Sequence, residues 1–152
     1  MRFLRQIRLI TMLKKLLIIL NLFILVGCSS SREDYYILSF NNESIAVGYD
    51  DVNGVDTSLL DSFSTISNKD KNIVSSITVY TSDVGDIYLN GTILNKGIKE
   101  TCDVLNGEYG EKNGHVCLLS KRVHGHDNYI LLYSDILSDD LDKIDHIVVE
   151  YK

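Results

Sequence analysis

The chain has 152 residues, of which 45% are hydrophobic and 24% are charged, and 21 acidic against 15 basic residues give a net charge of −6. This length suits one domain with a substantial core rather than two. The acidic balance argues against a nucleic-acid-binding protein, because such proteins carry clustered basic residues.

The first predicted element is a short apolar run at residues 16–26, preceded by a basic leader. A helix that crosses a bilayer needs roughly 20 apolar residues, so this run is too short to span one. A basic leader, a short apolar run and small residues after it are typical of a secretory signal peptide. The signal is complete from either Met1 or Met12, so the sequence leaves the true start open. The leader contains Arg2, Arg5, Arg8, Lys14 and Lys15.

The apolar run ends in Leu25-Val26-Gly27-Cys28, which resembles the lipobox of bacterial lipoproteins. The resemblance implies that residues 1–27 are removed, that Cys28 carries a diacylglycerol, and that the chain is anchored at the outer face of the bacterial cytoplasmic membrane. Residues 28–34 then form the lipidated cysteine and a short polar tether, and residues 35–152 form one exported domain. The alternative is an ordinary signal peptide, or an uncleaved anchor, with an incidental cysteine.

Removal of the signal changes the charge of the chain. All five basic residues of the leader are lost, which leaves 10 basic against 21 acidic residues and a net charge of −11. Such a charge disfavours electrostatic docking on anionic lipid, so the acyl chains have to supply the anchoring. It also predicts no nucleic-acid partner.

Most of the remaining chain has a period of two, which predicts strands. The clearest are "YYILSF", "SIAVGYD", "NIVSSITVYT", "HVCLLSKRV", "YILLYS" and "HIVVEY". Asn41, Asn42 and Glu43 predict one turn, and Asn90-Gly91 predicts a type I′ hairpin. Residues 50–72 are weakly patterned, which predicts a loop with a short helix near 58–63. The fold class is therefore α+β, with β-rich antiparallel hairpins forming a sheet and about one helix packed on it.

The one good helix candidate covers Gly97 to Asn106. Ile98, Cys102 and Leu105 share one apolar stripe, and Asn106-Gly107 suits a helix C-terminus. Because Cys28 is taken by lipid, Cys102 and Cys117 are left as an even pair in an exported chain, which favours a structural disulfide. Two buried free thiols, or a redox-active or metal-binding pair, are the alternatives, although the spacing lacks the Cys-x-x-Cys of redox motifs.

The segment "HGHDN" is the sharpest local signal for a ligand. His124, His126 and Asp127 offer two imidazoles and a carboxylate, which zinc or copper accepts, and His115 is a candidate neighbour. The same residues also suit a hairpin loop, in which Gly125, Asp127 and Asn128 serve the turn.

Motifs for catalysis are missing from the sequence. It has no Gly-x-Ser-x-Gly elbow, no phosphate-binding Gly-x-x-x-x-Gly-Lys loop and no His-Glu-x-x-His pair. We therefore expect neither enzymatic activity nor a cofactor. The residues "NGEYGEKNGHVC", "VHGHDN" and "ILLYSDI" resemble a pattern of small uncharacterised lipoproteins from low-GC Gram-positive bacteria, a resemblance that implies no activity.

These observations favour a non-enzymatic, membrane-anchored binding or accessory module. Its expected partners are the membrane, through the lipid, and a membrane-proximal envelope protein that meets acidic, tyrosine-bearing β surfaces. All nine tyrosines follow residue 34, although ordinary strand packing also accounts for them. The alternative is a metal- or small-ligand-binding lipoprotein that uses the loop from His124 to Asp127.

Overall fold

The computed structural model of the chain describes residues 30–68, 70–94, 97–111, 114–134 and 142–152. Residues Ser31–Lys152 form one compact unit. The predicted lipidation site Cys28 and the signal peptide lie outside the described residues. Within the described ranges, no helix has the length and apolar character needed to cross a membrane.

The strands of the described residues all pair antiparallel and are divided between two sheets. One sheet has the order β2-β1-β5-β6, and the other has the order β3-β4-β10-β9-β8-β7. The strands are β1 (Ile37–Phe40), β2 (Glu43–Ala46), β3 (Ser62–Asn68), β4 (Lys71–Tyr80), β5 (Tyr88–Leu89), β6 (Thr92–Ile93), β7 (Glu108–Gly110), β8 (Val116–Val123), β9 (His126–Ser134) and β10 (Ile144–Tyr151), and the α-helix is α1 (Ile98–Val104).

Two-residue turns with positive φ close three hairpins. Asn41 and Asn42 have φ of 46° and 69° between β1 and β2, and Asn90 and Gly91 have φ of 47° and 81° between β5 and β6. His124 and Gly125, at 50° and 86°, join β8 to β9. Positive φ at both central residues is the type I′ geometry that matches the twist of the flanking strands. The turns predicted at Asn41-Asn42 and at Asn90-Gly91 are therefore confirmed.

Both sheets and the helix contribute to one hydrophobic core. Strands β4, β8, β9 and β10 alternate buried and partly exposed residues, which places every second side chain in this core. The cluster of buried residues includes Leu38, Phe40, Ile45, Val47, Val74, Ile77, Val79, Leu89, Ile98, Cys102, Cys117, Leu119, Ile130, Leu132, Ile147 and Val149.

The predicted helix forms, with its C-terminus where the sequence places it. It covers Ile98–Val104, with Gly97 as N-cap, and Ile98 and Cys102 are buried. Asn106 has φ of 55°, and Gly107 N–H donates to the carbonyl of Cys102 at 2.8 Å. Together with the bond from Asn106 N–H to the carbonyl of Asp103, this is a Schellman motif. The helix contacts β7, β8 and β9.

Two parts of the predicted fold need correction. The β-rich antiparallel strands and the helix near residues 97–106 are confirmed, but the described strands form two sheets where hairpins of one sheet were expected. The short helix predicted near 58–63 is wrong: a 3-10 turn at Thr57–Leu59 is followed by strand β3. The loop predicted at 50–72 is correspondingly too long. Strand β3 lies at a sheet edge with all seven residues exposed, so it has no buried face to create an apolar pattern.

Candidate functional site

Cys102 and Cys117 form the predicted disulfide. The bridge joins α1 to β8 across a sequence separation of 15, with the Cα atoms 5.6 Å apart, and both cysteines are fully buried. Gly107 lies directly against it, because a Cβ built at Gly107 would be 2.7 Å from Cys117 Sγ and 2.8 Å from Cys102 Sγ. The bridge therefore has a structural role, and the glycine that ends the helix makes room for it.

The residues of the predicted metal site lie at one end of the β8–β9 hairpin. His124 is in the turn, whereas His126 and Asp127 are exposed residues of β9, so the loop is shorter than "HGHDN". His115 lies at the opposite end of β8, where its Nδ1 is 2.8 Å from the hydroxyl of Tyr109. In the part of the chain that the structure describes, no group of three His, Cys, Asp or Glu residues could hold a metal ion. Metal binding stays a prediction, which metal analysis of the purified protein would test.

Instead, the two histidine rings pack on tyrosines that arrive from separate segments. His124 stacks on Tyr35 with ring centroids 6.4 Å apart, and His126 packs on Tyr151 at 5.1 Å. Tyr35 is buried between Tyr49 at 5.5 Å and Tyr151 at 5.7 Å. We call these five residues the tyrosine–histidine cluster. It joins the start of the domain, the end of β2, the β8–β9 turn and the last strand.

Two polar contacts lie at or beside this cluster. His124 Nε2 is 3.6 Å from Asp34 Oδ2. Asn128, fully buried on β9, donates from Nδ2 to the carbonyl of Val47 at 3.3 Å, which connects β9 to the chain just after β2. No local sequence pattern indicates this cluster, because its outermost members, Tyr35 and Tyr151, are 116 positions apart in the chain.

The phenol of Tyr151 has a raised pKa. Desolvation by burial, followed by the interaction with Tyr35, raises the pKa of Tyr151 from 10.0 to about 12. In the unfolded chain this phenol ionises near its ordinary pKa, so above pH 10 the unfolded state loses the proton first. Stability contributed by the protonated phenol is therefore present below pH 10 and is lost as the pH rises to about 12.

We expect the melting temperature to fall with rising pH across this alkaline window, and to fall less in Tyr151→Phe, which has no phenol to ionise. Thermal unfolding followed by circular dichroism at several alkaline pH values measures both profiles. Tyr88→Phe, which removes an exposed phenol outside the cluster, is the control and should follow the parent protein. If the melting temperatures of Tyr151→Phe and the parent fell equally with pH, the raised pKa of Tyr151 would be contradicted.

The side of the six-stranded sheet that faces away from the core carries an unusual set of side chains. We call it the outer face. An antiparallel sheet usually presents polar residues on its solvated side, whereas this face is apolar and aromatic in its middle rows and polar around them. In the described part of the chain, neither hydrophobic cluster includes any of its residues. Its apolar and aromatic residues, with His146, are partly exposed: Tyr80, Val116, Leu118, Tyr129, Leu131, Tyr133, His146 and Val148. The same face also carries the polar residues Ser76, Thr78, Ser120, Arg122 and Glu150.

Strand register sets these residues side by side. His146 lies between Tyr80 on β4 and Tyr133 on β9. Its ring stacks on Tyr133 at 4.6 Å with an interplanar angle of 10° and packs on Tyr80 at 5.3 Å. In the next row Val148 lies beside Leu131, which lies beside Leu118. The rows form a continuous surface across four strands.

Acidic side chains border this surface. Glu108 on β7 lies opposite Leu118, and Glu150 on β10 lies opposite Tyr129. Asp145 Oδ2 is 2.9 Å from Nδ1 of His146. An apolar centre with a polar border is the usual anatomy of a protein–protein interface. Glu150 also pairs with Lys152 at 2.6 Å, which partly offsets its charge. The border acids, with Glu108 first among them, add a preference for a partner with basic residues around an apolar patch.

A cleft of about 510 Å³ opens beside the β1–β2 turn. Its lining is mainly polar, and none of His124, His126 and Asp127 contributes to it. The loop predicted for small-ligand binding is therefore not part of this cleft. The lining residues are Ser39, Phe40, Asn41, Asn42, Glu43, Ser44, Asp86 and Tyr88.

The chain was compared with protein-family models, with curated proteins and with solved structures. None of the three comparisons finds a match.

Proposed function

We propose that the chain is a non-enzymatic lipoprotein, anchored through Cys28 at the outer face of the bacterial cytoplasmic membrane, that binds a membrane-proximal envelope protein through the outer face of its six-stranded sheet. The lipobox-like Leu25-Val26-Gly27-Cys28 supports the anchor. The observation that carries the binding role is the apolar and aromatic outer face with its acidic border.

Composition and geometry of the outer face favour a protein as the partner. Contiguous exposed apolar patches are uncommon on soluble proteins and mark interaction sites when polar residues surround them. Tyrosines such as Tyr80 and Tyr133 give large contact area at a low entropic cost. The surface extends across four paired strands, a broad contact area that suits another protein surface better than a small molecule.

The anchor is tested by fractionation. Cys28→Ser should lose the diacylglycerol and move from the membrane fraction to the soluble or secreted fraction, because a thiol is required for the thioether. Mass spectrometry of the N-terminal peptide of the parent protein should show a cleaved, acylated Cys28. Full retention of Cys28→Ser in the membrane fraction would contradict the anchor.

The binding role is tested by crosslinking from defined positions in intact cells. A photoreactive residue at Leu131, in the centre of the outer face, should crosslink one envelope protein in high yield. The same residue at Ser67, exposed on the edge strand β3, is the matched control and should not. Equal patterns from the two positions would contradict a role for the outer face.

Charge reversal tests the acidic border. Glu108→Lys and Glu150→Lys should each weaken the crosslinking from Leu131, since they place a cation against the basic border expected on the partner. Asp103→Lys makes the same charge change at an exposed site on α1, away from the outer face, and should leave the crosslinking from Leu131 unchanged. Loss of crosslinking in all three variants would indicate a general effect of charge and contradict a role for the acidic border in binding.

A further inference from the structure

The start of the domain is held rigidly at one end of the fold. Ser31 and Asp34 form a capping box around the 3-10 turn Arg32–Asp34. The guanidinium of Arg32 donates to Asp50 at 2.8 to 3.2 Å, and its Nη2 also donates to the carbonyl of Ser44 at 2.7 Å. The polypeptide that comes from residue 28 therefore enters the domain at a fixed point.

The tyrosine–histidine cluster surrounds this point. Tyr35 directly follows the 3-10 turn and contacts Tyr49, His124 and Tyr151. Within the cluster, Tyr49 is 37% exposed, and His124 and His126 are exposed as well. An aromatic, partly solvated surface thus lies where the tether joins the domain.

The tether is too short to move this surface far from the anchor. Two residues, Ser29 and Ser30, lie between Cys28 and Ser31. The three steps from Cys28 to Ser31 cover at most about 3.6 Å each in an extended chain, so the gap is no more than about 11 Å. With two acyl chains on Cys28 inserted in the bilayer, the cluster is held beside the lipid headgroups. Tyrosine is enriched at this depth, because its ring is apolar and its hydroxyl is polar.

The charged residues at this end are of both signs and are largely paired. Although the chain without its signal has a net charge of −11, four of its 10 basic residues are Arg32, Lys121, Arg122 and Lys152, which flank the cluster in sequence or by strand pairing. Arg32 pairs with Asp50 and Lys152 with Glu150, and Asp34 and Asp127 lie at the same end. Charge therefore gives this end no net attraction to anionic lipid, and contact with the headgroups depends on the short tether and the aromatic side chains.

We propose that the tyrosine–histidine cluster is a lipid-contacting surface that rests on the phospholipid headgroups and fixes the orientation of the domain on the membrane. The proposal rests on the lipid anchor at Cys28. It places Tyr109, on the β7–β8 pair, away from the bilayer. Tyr109 lies opposite Cys117, six residues along β8 from Val123 at the His124-Gly125 turn, which is about 20 Å of strand.

The absence of tryptophan from the chain allows a direct test. The full chain with Tyr49→Trp or Tyr109→Trp is expressed in a bacterium, and the mature lipoprotein is reconstituted into vesicles of phosphatidylethanolamine and phosphatidylglycerol that contain brominated lipid. We expect the emission of the tryptophan at position 49 to shift to shorter wavelength and to be largely quenched. The tryptophan at position 109 should keep its emission. His126→Trp is a second reporter in the cluster in case Tyr49→Trp lowers stability.

The possible outcomes separate this proposal from the proposed function. Mass spectrometry of the same samples reports whether Cys28 is acylated, and an unacylated protein would overturn both. An acylated protein in which positions 49 and 126 are not quenched, or in which position 109 is quenched equally, would overturn the lipid-contacting surface alone. Strong quenching at 49 and 126 with none at 109 would support it.

Discussion

Replacement of Cys102 and Cys117 together by alanine is expected to lower the free energy of unfolding by about 3 kcal/mol. The bridge closes a loop with a sequence separation of 15, and its loss returns conformational freedom to the unfolded chain. Both cysteines are fully buried, so the smaller alanine side chains also leave space in the core. Urea-induced unfolding in a Cys28→Ser background, which has no other thiol, measures the difference.

Reduction provides the matched control for this prediction. The parent protein treated with a reductant loses the covalent bond but keeps both sulfur atoms in the core, so it isolates the contribution of the bond from that of packing. We expect the reduced parent to be less stable than the oxidised form and more stable than the double variant. Equal stability of the oxidised and reduced forms would show that the bridge does not stabilise the domain.

The disulfide also bears on where the protein works. Disulfides persist in oxidising compartments and are rare in the cytosol of ordinary cells. An oxidised bridge between Cys102 and Cys117 is what the proposed location outside the cytoplasmic membrane requires. In the proposed function Cys28 carries the lipid, whereas Cys102 and Cys117 form the bridge in the core.

Much of the local structure could be predicted because local chemistry determines it. The alternation in β4, β9 and β10 follows from one buried face, and Asn90-Gly91 adopts positive φ at both residues with little strain. Asn106 ends α1 for a related reason, since asparagine tolerates the left-handed conformation better than most residues do. These signals act over a few residues and can be read from the sequence.

Other features depend on which segments meet, and the sequence gives no local signal for that. Strand β1 pairs with β5 through Leu38 and Leu89, so the existence of a second sheet depends on a contact between distant segments. Strand β3 is exposed along its whole length and has no apolar alternation. The tyrosine–histidine cluster and the outer face likewise depend on tertiary pairing, so single tyrosines could be noticed but not assigned to a common surface.

The tyrosine–histidine cluster depends on a glycine, which leads to the second large effect. Gly48 has φ of 94°, a conformation that L side chains rarely adopt, and a Cβ built there would be 2.6 Å from Cγ and Cδ2 of Tyr151. Its N–H also donates to the carbonyl of Val74 at 2.7 Å, so the backbone cannot move away freely. We expect Gly48→Ala to lower the free energy of unfolding by about 2 to 4 kcal/mol, from backbone strain and overpacking together.

The two causes can be separated because the chain offers a matched control. Gly91 has φ of 81° but nothing within 4 Å of a built Cβ, so Gly91→Ala should show the backbone strain without the overlap. The excess loss in Gly48→Ala, measured by urea-induced unfolding, then reports the contact with Tyr151. If the two variants lost equal stability, Tyr151 would not be confined by Gly48. Tyr151 also contacts Tyr35 and His126. A larger loss of stability in Gly48→Ala than in Gly91→Ala would therefore show that the tyrosine–histidine cluster is tightly packed against Gly48.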